Sequence, residues 1–214
     1  MRLVLPRLYV ILDAALLTLP ETQLAASLAE AGVRLLQYRN KQASARELLE
    51  KSRALAGALV PRNVTFIVND RPDVAALAGA SGVHLGQDDL GVEAARTLME
   101  PNGVVGVSTH NEAQFRAAVS SSADYIAIGP IFATSSKRNP DPVVGLETIR
   151  RVRRLTDKPI VAIGGITLER APEVIAAGAN TVAVISDILR AADPAERARQ
   201  YIDSLERTNH AAAV

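Results

Sequence analysis

Three short runs carry side chains suited to phosphate and a divalent cation. Gln37, Arg39 and Lys41 alternate within Gln-Tyr-Arg-Asn-Lys, and alternation in extended backbone puts side chains on one face. Arginine offers a planar fork to phosphate oxygens and lysine a compact charge. Asn69-Asp70 and Gly86-Gln87-Asp88-Asp89 supply carboxylates. Asp70 and Asp89, with water and phosphate oxygens, make a typical magnesium ligand set, and Asp88 could replace Asp89. A plainer reading stands beside this one. Arg39 and Lys41 could pair with helix-borne carboxylates, and Asp70 could bridge to Arg71 or cap a helix ahead of Pro72. Lys137, in Thr134-Ser135-Ser136-Lys137, adds a possible further cation. Gly164-Gly165 and Ile185-Ser186 suit phosphate binding by backbone N–H groups, although a Gly-Gly pair can mark only a tight turn. Asp187 must point away if a phosphate sits there. His84 reads as a packed or hydrogen-bonded core residue, and His110 as site-lining or at a helix start. No histidine pair has metal-ligand spacing.

Side chains so far apart in sequence need a scaffold that brings them to one place. Short apolar, β-branched runs read as buried strands at 8–12, 35–38, 65–68, 83–85, 104–107, 125–128, 160–163 and 181–185. Helical stretches separate them. In one, Leu146, Ile149, Val152 and Leu155 recur every three residues, and the intervening arginines read as a solvated face rather than a phosphate patch. Pro20, Pro72 and Pro172 sit at helix starts, while Gly32, Gly79 and Gly178 follow helix ends. Strand and helix alternating eight times predict a single (β/α)₈ TIM barrel over 1–207, with 208–214 a frayed tail. A doubly wound open sheet competes, but Asp13-Ala14 stands where it would carry a Gly-rich turn. In a barrel the site lies at the C-terminal strand ends. That rule gathers Gln37 to Lys41, Asn69, Asp70, Asp89, Ser108, Gly165 and Ser186. The long segment 130–144 reads as a lid.

Composition narrows the class. The 214 residues are 48% hydrophobic, and 24 Lys+Arg against 23 Asp+Glu leave a net charge of +1. With aromatics at 3%, neither a basic nucleic-acid binder nor a base-stacking platform is expected. The chain has no cysteine, which excludes disulfides and thiolate chemistry. No apolar run approaches the ~18 residues of a spanning helix. Small-molecule substrates and a cytoplasmic setting are the simplest expectation; the sequence is silent on oligomeric state.

The segments LYVILD, LLQYRNK, FIVNDRPDVA, GVHLGQDDL, VGVSTHN, DYIAIGPIFATSSK, VGLE, PIVAIGGI and NTVAVISDI occur in this order over nearly the whole chain. Together they resemble the thiamine-phosphate synthase (thiamine-phosphate pyrophosphorylase) family. The resemblance implies an Mg²⁺-dependent transferase joining 4-amino-5-hydroxymethyl-2-methylpyrimidine diphosphate to a thiazole phosphate, carboxylated or not. Thiamine monophosphate and pyrophosphate would be the products. It implies that Gln37, Tyr38, Arg39, Asn40 and Lys41 contact the pyrimidine diphosphate, and that Asn69 contacts the pyrimidine. Asp70 and Asp89 would be the metal ligands. Ser108 would lie near the pyrimidine or diphosphate, and Lys137 would reach the diphosphate. Thr134, Ser135, Ser136, Gly165, Ile185 and Ser186 would hold the thiazole phosphate. Arg39, Lys41, Ser108 and Lys137 would be the catalytic set. Two departures are Ser135, where the family commonly has proline, and Asp187, where a small residue is expected. A related thiazole tautomerase and a catalytically idle ligand-binding barrel are the rival readings. The tautomerase has no need of two metal-binding aspartates or of the diphosphate cations.

Overall fold

Eight runs of apolar and β-branched residues form parallel strands: β1 (Leu8–Asp13), β2 (Leu35–Arg39), β3 (Thr65–Asn69), β4 (Gly82–Leu85), β5 (Val104–Thr109), β6 (Tyr125–Ile128), β7 (Ile160–Ile163) and β8 (Thr181–Val184). They hydrogen-bond in sequence order, and β8 pairs back onto β1 to close the barrel. This computed structural model describes residues 3–134 and 141–211, with side chains to Arg207 in the last helix. Strand cores fall where the apolar pattern puts them. β1, β2, β3 and β5 run further at their C-terminal ends, because the polar residues there still join the ladder. Asp13 pairs in register with Arg39, and Asn69 with His84.

The connections are α1 (Glu21–Glu30), α2 (Ala45–Leu59), α3 (Pro72–Ala78), α4 (Val92–Leu98), α5 (Glu112–Val119), α6 (Gly145–Arg153), α7 (Ala171–Ala176) and the short α8 (Ser186–Leu189), followed by α9 (Pro194–Ala211). Pro72 opens α3, where its missing N–H costs nothing, and Gly79 caps that helix with a left-handed φ of 69°. In α6, Ile149 and Val152 are fully buried. Its arginines pair with Glu147, Glu112 and Asn180, as a solvated helix face would. α9 runs to Ala211, four residues past the boundary read from sequence; 212–214 lie outside the described residues. No described helix is long and apolar enough to cross a membrane.

Strand alternation divides the apolar interior in two. Outward residues such as Val10, Leu36, Val68, Val105, Ile126 and Ala162 pack beneath the helices. Inward residues Tyr9, Ile11, Leu35, Ile67, Tyr125, Ala127, Val161 and Ala183 fill the lumen. Two tyrosines in so narrow a space need room. A Cβ on Gly106 would lie 2.0 Å from the Tyr125 ring. Gly106→Ala should therefore destabilise the barrel by about 3 kcal/mol through overpacking, read from denaturant midpoints. An unchanged midpoint would mean that Tyr125 can leave this place without cost.

Candidate active site

The mouth is built from residues that complete the inward face of each strand. At the top of β1, Asp13 is 5% exposed. It accepts a hydrogen bond from Ala15 N–H and pairs with the Arg39 guanidinium at the top of β2. The planar fork is thereby held at the rim by a buried counter-charge. Two residues on, Lys41 Nζ lies 3.1 Å from Asp70 Oδ2. Both cations thus take carboxylates from strand ends, not from helices.

Asp70 adopts φ 66°, a left-handed conformation that costs a residue with a Cβ about 1 kcal/mol. Its N–H donates to His84 O at 2.8 Å across the β3–β4 junction. It neither bridges to Arg71, which pairs with Asp73, nor caps α3. Asp89 returns from the β4 loop, and its Oδ2 accepts the Gly86 N–H at 2.7 Å. Burial raises the Asp89 pKa. A hydrogen bond shared with Asp70 and the Asp70 charge raise it further, with the Gly86 N–H pulling the other way. The two carboxyl groups therefore meet. Because Asp89 holds its proton more tightly in the fold, its contribution to stability is present in acid and lost as pH rises through its raised pKa. Burial and the Asp70 carboxyl thus disfavour the ionised form of Asp89, and a cation between the two would favour it. Among the described residues no group of three His, Cys, Asp or Glu could hold a metal ion. A pair of carboxylates is nonetheless the protein share of many magnesium sites, where water and phosphate oxygens complete the shell.

Beneath the rim lies a polar chain that crosses the lumen. Gln37 Nε2 donates to Tyr9 Oη at 2.7 Å, and Tyr9 Oη lies 3.1 Å from Tyr125 Oη. Tyr125 Oη is 2.9 Å from His84 Nδ1, and His84 Nε2 is 2.8 Å from Ser108 Oγ. Burial pushes the His84 pKa down to about 4, so the ring is neutral, and burial pushes both tyrosines up. Gln87 Nε2 donates to the Ser108 carbonyl at 2.6 Å, fixing the top of β5.

Of the expected site residues, Gln37, Arg39, Asn69 and Ser108 end inward strand faces, and Lys41, Asp70 and Asp89 join them from the loops. Tyr38 does not face the lumen. It is fully buried between barrel and helices, donating to Glu21 and accepting from Asn40 Nδ2 at 3.3 Å each. The adjacent position on a strand points the opposite way. Asn40 Oδ1 accepts from the N–H groups of Gln42 and Ala43, so Asn40 shapes its loop. Gly165 has φ 63°, and a Cβ there would meet Ala133 O at 2.4 Å, so this glycine admits the β6 loop against the β7 loop. Ile185 and Ser186 begin α8. Asp187 turns away from the mouth, accepting a hydrogen bond from Tyr201 Oη of α9 at 2.8 Å. Thr134 is half-buried at the start of the long segment. Ser135, Ser136 and Lys137 lie outside the described residues, as does the middle of the segment read as a lid, whose two ends are joined by a Val144 N–H to Pro130 O hydrogen bond. His110 donates from Nδ1 to Gly129 O at 2.9 Å and stands 3.5 Å from Asp141. Sequence reasoning missed Asp13, Tyr9 and Tyr125. Their inward period-two positions were the available signal.

Residues 8–188 match the thiamine monophosphate synthase family. A thiamine-phosphate synthase of Koribacter versatilis is 55% identical over 208 residues, covering 94% of this chain and 96% of that protein. One from Agrobacterium fabrum is 43% identical, covering 94% of each. The structure of a thiamine phosphate pyrophosphorylase from Pyrococcus furiosus superposes with a TM-score of 0.85 at 33% identity, covering 94% of this chain and 96% of that one.

Asp70→Asn keeps a residue tolerant of positive φ. In that variant the Asp89 carboxyl should titrate closer to an ordinary aspartate, as followed by carboxyl NMR. Folding stability should move by less than about 1 kcal/mol, because the lost Lys41 pair is exposed. An unchanged Asp89 titration would show that the two groups do not interact.

Proposed function

Since the chain belongs to the thiamine monophosphate synthase family and is a transferase of thiamine biosynthesis, we propose that its mouth binds the two small substrates named for that family. One is the aminopyrimidine diphosphate and the other the thiazole phosphate. The reaction breaks the bond between the pyrimidine methylene carbon and the diphosphate oxygen. It forms a bond from that carbon to the thiazole nitrogen, releasing pyrophosphate. The observation that supports this reading most is the facing pair Asp70 and Asp89 beside Lys41, with Arg39 on the same rim.

Charge accumulates on the leaving diphosphate as the bond breaks, and fixed cations at that place lower the barrier. Arg39, oriented by Asp13, binds diphosphate oxygens with its fork. Lys41 exchanges its Asp70 contact for the diphosphate, and Lys137 adds a third cation. Asp70 and Asp89 would hold Mg²⁺: both donors are oxygens, and their partial burial and mutual repulsion favour a cation between them. When bound, Mg²⁺ would neutralise charge on the diphosphate oxygens. The pyrimidine amino group spreads the positive charge left on the methylene carbon, so the protein needs no strong base. Asn69 positions the pyrimidine. Thr134, Ser135, Ser136, Gly165, Ile185 and Ser186 receive the thiazole phosphate, and the outward turn of Asp187 favours an anion there. The protein's task is then orientation and exclusion of water.

Mixing the two substrates with the protein and Mg²⁺ should release pyrophosphate, and removing the metal with chelator should stop it. Arg39→Ala should lower kcat/KM about 10²–10³-fold. Absence of pyrophosphate, or an Arg39→Ala variant with normal kcat/KM, would contradict the reading.

A further inference from the structure

The lumen chain has a built-in direction, and that direction decides what Ser108 can offer the mouth. Its lower end is an amide nitrogen, which can donate but cannot accept. Gln37 Nε2 gives its proton to Tyr9 Oη at 2.7 Å. The remaining contact of Tyr9 in the chain is Tyr125 Oη at 3.1 Å, so the single Tyr9 proton goes there. Tyr125 has now accepted from Tyr9, and its own proton goes to His84 Nδ1 at 2.9 Å. A neutral imidazole that accepts at Nδ1 carries its hydrogen on Nε2. His84 Nε2–H therefore donates to Ser108 Oγ at 2.8 Å. The Ser108 proton is left pointing away from the ring.

The opposite direction would have different chemistry. With hydrogen on Nδ1, His84 Nε2 would accept from Ser108 and act as a base on it, the arrangement of an activated serine nucleophile. The amide at Gln37 disfavours that state, because Gln37 Nε2–H and Tyr125 would then both donate to Tyr9, leaving the Tyr9 proton with no acceptor in the chain. Burial makes the penalty matter: Tyr9, Gln37 and Tyr125 are each at most 2% exposed. The ring of Tyr125 is confined as well, stacked at 17° on His84 with centroids 5.6 Å apart and seated where Gly106 leaves space.

We infer that Gln37, Tyr9, Tyr125 and His84 are positioning residues that act through one another to hold Ser108 as a hydrogen-bond donor to the substrate, never as a nucleophile. The functional half of this inference rests on the mouth being the diphosphate-binding site proposed above. A donor that needs no reorientation suits a reaction in which negative charge grows on a departing oxygen.

The test combines spectroscopy with rates. In protein labelled with ¹⁵N-histidine, the His84 signal, assigned by its loss in a His84→Asn variant, should have the pattern of hydrogen on Nε2. Gln37→Leu removes the terminal donor and should give both tautomers. Tyr125→Phe keeps the ring and deletes only the hydroxyl. It should slow pyrophosphate release about tenfold, the scale of one hydrogen bond. Combined with Ser108→Ala, it should be no slower than Ser108→Ala alone. Hydrogen on Nδ1 in the unaltered protein, or losses that multiply in the double variant, would overturn the inference. Full activity in Ser108→Ala with the Nε2 pattern intact would overturn the role of Ser108 and leave the direction of the chain supported. If the unaltered protein releases no pyrophosphate, the site reading fails, and the tautomer alone still decides the direction.

Discussion

Two carboxyl groups that repel each other are held together at one end of a barrel, and the local structure goes to some cost to keep them there. Asp70 accepts a left-handed φ to turn its side chain back over the mouth. Asp89 is anchored by the Gly86 N–H and partly withdrawn from water. The left-handed backbone costs the fold, and burial beside Asp70 disfavours the charged form of Asp89. Strain of this kind is retained where a ligand relieves it. A divalent cation bridging to a diphosphate is a ligand of the right charge and chemistry.

The rest of the mouth follows from period two along parallel strands. Register places Asp13 opposite Arg39, which converts a mobile arginine into an oriented one. The same alternation sends Tyr38 to the helix layer although its neighbours at 37 and 39 face inward. Below the rim, the lumen is partly polar, and its tyrosines, histidine and glutamine satisfy one another in a line ending at Ser108. The floor of the site is thus a set of hydrogen bonds with little freedom to rearrange, topped by charges that a diphosphate can engage.

Much of this was legible in the sequence. The eight apolar runs, the helix-starting prolines and the polar strand ends led directly to a closed barrel and to the end that gathers its polar residues. Local pattern carries that information, because buried parallel strands must be apolar on both faces. Asp70 and Asp89 were recognisable as a possible pair, since they follow adjacent strands. What escaped depends on contacts between distant segments. Asp13 was read as the end of a strand, and its pairing with Arg39 needs the β1–β2 register. Tyr9 and Tyr125, 116 positions apart, read as ordinary core residues until barrel closure brought their hydroxyls together. His84 was read as a hydrogen-bonded core residue, which it is, but its partners could not be named. Tyr38 was assigned to the substrate by its place in a motif, and strand alternation sends it elsewhere. Asp187 looked like an obstacle to phosphate until Tyr201 of α9 supplied the partner that turns it aside.

A divalent ion held between Asp70 and Asp89 would be directly observable. Mn²⁺ can replace Mg²⁺ at oxygen-ligand sites and is visible by anomalous X-ray scattering. Crystals of the protein grown with Mn²⁺ and pyrophosphate should show an anomalous peak between the carboxylates of Asp70 and Asp89, in contact with a pyrophosphate oxygen. A saturating Mn²⁺ concentration that leaves this position empty, or places the ion against other residues, would contradict the account.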